Sequence, residues 1–84
     1  MNFLAQIHVM PLTDLLDPQG KAVMGSLSQL GLSGINDVRI GKNINLKISA
    51  TNEQEAEEIC KTACEKLLHN PVMEQFTFEL SEIK

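Results

Sequence analysis

Asp17-Pro18-Gln19-Gly20-Lys21-Ala22-Val23 reads as the opening of a helix. Asp17 offers a carboxylate to the orphan N–H groups of a first turn, and Pro18 takes the first helical position, where a missing N–H costs nothing. Val23, Leu27 and Leu30 then recur at helical spacing, and Gly31 is a natural stop because the residue after a helix favours the left-handed conformation. Upstream the period changes. Phe3, Ala5, Ile7 and Val9 alternate with Asn2, Gln6 and His8, the pattern of a strand with one buried face, and Met10-Pro11 ends it because proline has no donor for a ladder.

Downstream, Ile35 to Ile40 and Ile44 to Ala50 are two short runs joined by Gly41-Lys42-Asn43, which predicts a hairpin. A three-residue loop sets Ile40 against Ile44, Val38 against Leu46 and Asp37 against Lys47, with Asn43 in the left-handed third loop position. A second helix opens at Thr51 or Asn52 with Gln54 or Glu55 three positions on. It gathers Glu53, Glu55, Glu57 and Glu58 near the positive end of its dipole. Ala56, Ile59, Cys60, Ala63 and Leu67 form its predicted apolar stripe, and Asn70-Pro71 closes it. In the last run, Val72 to Ile83, Phe76, Phe78 and Leu80 share one face. The order strand, helix, strand, strand, helix, strand predicts one α+β domain over residues 1–84. It would be ferredoxin-like (βαββαβ), with two helices on one face of an antiparallel sheet. The helix-free face would carry Leu4, Gln6, His8, Arg39, Lys47, Met73, Gln75 and Thr77, a mixed surface suited to self-association.

Composition excludes several classes. Seven basic against eleven acidic side chains give a net charge of −4, and the bases form no stripe, so a phosphate backbone is not the expected partner. Two cysteines four residues apart are no disulfide framework, and no apolar run approaches a membrane span. With no leader-like segment at the start, the expectation is a cytoplasmic protein.

Catalytic constellations are missing too. Gly20-Lys21 is followed by Ala22 and has no glycine five positions earlier, so it is no phosphate loop. Cys60 and Cys64 lie among alanines and isoleucine on one helical face and read as core. His8 falls on the outward parity of the first strand, and Arg39 and Lys42 make a small basic patch around the expected hairpin. No catalytic, cofactor-binding or metal-binding residue is therefore expected in this chain.

The two segments Asp17-Pro18-Gln19-Gly20-Lys21-Ala22-Val23 and Asp37-Val38-Arg39-Ile40-Gly41-Lys42, twenty residues apart, together resemble the PurS family, the small subunit of phosphoribosylformylglycinamidine synthase. The likeness runs the length of the chain, to a closing helix that contains Cys64-Glu65-Lys66-Leu67-Leu68. Departures fall at Gln6-Ile7-His8-Val9-Met10-Pro11 and at Ser33-Gly34-Ile35-Asn36. The resemblance implies a non-catalytic subunit of an ATP- and glutamine-dependent ligase of purine biosynthesis. It implies a homodimer or homotetramer that bridges a large synthetase subunit (PurL) and a glutaminase subunit (PurQ) and assists ammonia transfer. ATP and Mg would be used by the large partner, with no cofactor in this chain. The polar motif members Asp17, Gln19, Gly20, Lys21, Asp37, Arg39, Gly41 and Lys42 become candidate partner contacts. The alternative is an ACT-like module that binds a small regulatory molecule on the same strand and helix order.

Overall fold

A computed structural model describes residues 1–84. Its centre is β1 (Asn2–Pro11), flanked on one side by β2 (Lys42–Ser49) and on the other by β3 (Glu74–Ile83), both antiparallel to it. Alternation decides the register. Phe3, Ala5 and Ile7 lie beside Ile48, Leu46 and Ile44 of β2, while Ala5, Ile7 and Val9 lie beside Leu80, Phe78 and Phe76 of β3. The predicted apolar parity of all three strands is therefore correct, and Phe3, Ala5, Ile7 and Val9 are sealed from solvent.

One helix covers that face. It comprises α2 (Glu53–Ala63), capped by the Asn52 side chain on the Glu55 N–H at 2.8 Å, and a single π turn over Cys64–Leu68. Its buried line is Ala56, Cys60 and Cys64, with Leu68 packed at the edge of the core. Steps of four residues drift around an α-helix by about 40° each, and the wider π turn takes up the drift, so the line stays on the sheet. This corrects the predicted stripe, because Ile59 and Leu67 face solvent. Two cysteines and an alanine let the helix lie close to β1. Both thiols are free and buried, and desolvation is the leading cause that raises them, Cys60 to about 11.

Other predictions need correction. Residues 35–40 pair with no strand, so the sheet has three strands, and the expected pairs of Ile40, Val38 and Asp37 with Ile44, Leu46 and Lys47 do not form. Gly41-Lys42-Asn43 is no hairpin loop. Lys42 already belongs to β2, opposite Val9, and no residue other than glycine has a positive φ. β3 begins at Glu74, which leaves Val72 and Met73 exposed in the preceding turn, and Arg39 and Met73 leave the predicted helix-free face.

The largest difference is α1 (Pro18–Gln29). It stops as expected, with Gly31 at φ +80, but it does not pack along the sheet, and Gly20 is its one buried residue. Val23, Leu30, Leu32 and Ile35 stay exposed. A compact chain of this length would have a radius of gyration of about 12 Å. The observed 16.5 Å, with extents of 51 × 30 × 14 Å, measures how far α1 and the arm of residues 32–41 stand from the sheet. No helix is long and apolar enough to cross a membrane.

Truncating Ile7, at the sealed centre of β1, should cost about 2–5 kcal/mol in urea unfolding as Ile7→Ala. Both thiols should remain unreactive toward a thiol reagent in mildly alkaline solution until the chain is unfolded. Prompt modification of the folded protein would contradict their place in the core.

Candidate functional site: the joint between the two motifs

The Asp17 carboxylate is the one buried charged group of the chain, at 7% exposure. Its Oδ1 accepts from the N–H of Gly20 at 3.0 Å, the predicted helix cap. Its Oδ2 accepts from the N–H of Ile40 at 2.8 Å, twenty-three positions away. The first motif thus holds the second. Those two N–H groups, Ile40 first and Gly20 next, keep the Asp17 carboxyl below its usual range, with the Arg39 charge adding to the effect.

Arg39 works in the opposite direction. Its Nη2 donates to the carbonyls of Leu12 at 2.7 Å and Pro11 at 3.2 Å, and its Nη1 to that of Leu15 at 3.3 Å. One planar guanidinium gathers three carbonyls of the loop between β1 and α1, a geometry that the point charge of a lysine does not reproduce. Two glycines admit the close approach. A Cβ at Gly20 would meet the Val38 carbonyl and the Asp17 carboxylate, and one at Gly41 would meet the Val9 carbonyl and the Met10 sulfur.

All eight residues singled out in the sequence gather at this joint. Gln19, Gly41 and Lys42 line a cavity of about 550 Å³ together with Asp17, Asn70 and Glu74. Lys21, Asp37 and Arg39 line a second crevice on the other side of Asp17. Asp37 turns its Oδ1 back onto the N–H of Val38 at 3.0 Å. Lys42 pairs with Glu74 at 3.4 Å, so both members of the expected basic patch are engaged, Arg39 by carbonyls that accept its hydrogen bonds and Lys42 by a carboxylate. With the lysine 60% exposed, that pair adds little to stability. The Glu74 carboxyl is lowered chiefly by the N–H of Asn70, at 2.9 Å.

Sequence reading missed Pro11, Leu12, Leu15, Asn70 and Glu74. The first three act through carbonyls, which every residue carries and no side chain announces. Asn70 and Glu74 had a readable signal, an Asn-Pro turn followed by an acid four positions on. Elsewhere, His69 donates through Nδ1 to the Cys64 carbonyl and sets its ring edge-on to Phe76 at 4.7 Å, closing the π turn. No cluster of three or more His, Cys, Asp or Glu side chains is placed to hold a metal ion.

Fold and joint define a class, a small antiparallel α+β domain whose first helix is held away from the sheet by a polar joint. Comparison with known proteins gives the family. Residues 4–82 match the profile described as PurS, phosphoribosylformylglycinamidine (FGAM) synthase, and the chain belongs to that family. It is 39% identical over 83 residues to the phosphoribosylformylglycinamidine synthase subunit PurS of Synechocystis, covering 99% of this chain and 83% of that one. Among solved structures, Thermus thermophilus PurS superposes with a TM-score of 0.89 at 39% identity over the whole of both chains. A chain of the PurLQS structure from Thermotoga maritima gives 0.85 at 37% identity over 99% of each. The family decides against the ACT-like alternative.

Because the folded pKa of Asp17 lies below the ordinary 3.8, its contribution to stability is whole above that value and is lost as pH falls through the lower, folded one. Asp17→Asn keeps an acceptor for the cap and loses the charge. Its urea midpoint should therefore lie below the parent's near neutral pH, and the gap should close on acidification. A gap that ignores pH would mean that the charge contributes nothing.

Proposed function

We propose that this chain is the non-catalytic small subunit through which a large synthetase subunit of PurL type and a glutaminase of PurQ type are held together. As a homodimer or homotetramer in the cytoplasm, it would bridge the two and assist the passage of ammonia between them. The observation that carries this reading is the likeness, along nearly the whole chain, to the chain of the PurLQS assembly. The architecture supports it. The sealed core comprises nine residues, while Val23, Leu30, Leu32 and Ile35 are left for another chain to cover. ATP and Mg belong to the large partner in this reading. The eight joint residues serve assembly, Asp17, Gly20, Arg39 and Gly41 by shaping the surface and Gln19, Lys21, Asp37 and Lys42 by contact.

Two measurements test it. Large subunit and glutaminase are mixed with and without this chain, and formylglycinamidine ribonucleotide synthesis is followed from glutamine and from free ammonia. Omitting the chain should lower the glutamine-dependent rate at least about tenfold, in free-energy terms about 1.4 kcal/mol of lost coupling, and leave the ammonia-dependent rate nearly unchanged. Equal glutamine-dependent rates would remove the bridging role. Sedimentation of the chain alone should show an oligomer at micromolar concentration, and a stable monomer would contradict the homo-oligomer.

A further inference from the structure

Two bodies meet at the joint without a packed interface between them, the sheet with α2 on one side and α1 with the arm of residues 32–41 on the other. Something other than hydrophobic contact must set the angle between them. The hydrogen bonds supply it. The acceptors of Arg39 all lie in residues 11–15, the connection into α1, while Arg39 itself lies in the arm that leaves it. Asp17 closes the loop a second time by holding Gly20 inside α1 and Ile40 in the same arm. The start of α1 and the far end of the returning arm are thereby pinned to each other and to the end of β1, with Gly20 and Gly41 at the two tight crossings.

We propose that Arg39 and Asp17 are positioning residues for assembly. They fix the direction in which α1 presents Val23, Leu27 and Leu30 to other chains, and they act through α1 instead of by touching a partner. The inference rests on the bridging role proposed above and replaces the reading of Arg39 and Asp17 as contact residues. It also separates charge from shape. A contact made by charge survives in part when lysine replaces arginine, whereas a fork on three carbonyls does not.

The test uses hydrogen exchange of the full chain, read peptide by peptide, for Arg39→Ala, Arg39→Lys and Asp17→Asn. Amides of α1 and residues 32–41 should exchange at least tenfold faster in all three variants, with β1, β2 and α2 unchanged. In parallel, Arg39→Lys should bind the large subunit and glutaminase as poorly as Arg39→Ala. Unchanged exchange in α1, a uniform increase over the sheet, or assembly restored by Arg39→Lys would each overturn the proposal. Should the parent chain itself fail to assemble with the two subunits, the bridging role falls, and the exchange pattern still decides whether Arg39 and Asp17 hold α1.

Discussion

The Asp17 carboxylate, with one oxygen on Gly20 and the other on Ile40, is the constraint on which the rest of the structure depends. It caps α1 and at the same stroke draws the segment that follows α1 back to where α1 began. Arg39 is thereby set over the carbonyls of residues 11–15, and Gly41 is set against Val9, where β2 enters the sheet beside β1. A buried carboxylate with two N–H donors and a cation close by is well compensated for its desolvation. An uncharged side chain of the same size would satisfy at most half of the arrangement.

What could be read in the sequence was local. The cap of α1, its stop at Gly31, the cap at Asn52, the parity of three strands and the core role of Cys60 and Cys64 each depend on residues within a turn or two of each other. The link from Asp17 to Ile40 spans the whole of α1 and leaves no periodic trace. The eight joint residues were visible as motifs, but the sequence does not show that Asp17, Gly20 and Arg39 tie the two motifs together. The missing strand teaches a related lesson. Alternation in residues 35–40 says that one face of an extended segment is to be covered, and the adjacent run at 44–50 suggested the cover. That run pairs with β1 and keeps its outer edge free, while Arg39 and Ile40 of the preceding segment are tied by hydrogen bonds to residues 11–17. The π turn escaped because its only mark is a spacing of four kept up from Ala56 to Leu68.

Magnitudes explain why a helix hung on hydrogen bonds is a workable design. Covering Val23, Leu27, Leu30, Leu32 and Ile35 gains roughly 5–10 kcal/mol gross, at about 1.5–3 kcal/mol for each fully buried side chain and less for partial cover. Bringing chains together costs about 4–15 kcal/mol in lost freedom. The two are of the same order, so the surplus depends on whether α1 arrives in its final pose or must be ordered on binding. A freely swinging helix would add the ordering of its connections to the cost, at about 1–2 kcal/mol for each residue fixed.

Hydrophobic contact is poorly suited to prevent that swing, because it depends on area and hardly on angle. Hydrogen bonds weaken steeply away from linearity, and a planar fork on three carbonyls resists rotation in more than one direction. In this chain the two kinds of interaction are divided accordingly. Apolar burial holds the sheet to α2, where a line of alanine and cysteine needs only closeness. Directional bonds hold α1, where Val23 and Leu30 stay exposed and no apolar contact sets the angle. The division also accounts for the composition of the joint, where two glycines, an aspartate and an arginine stand in place of the large apolar residues that would join two bodies by area alone.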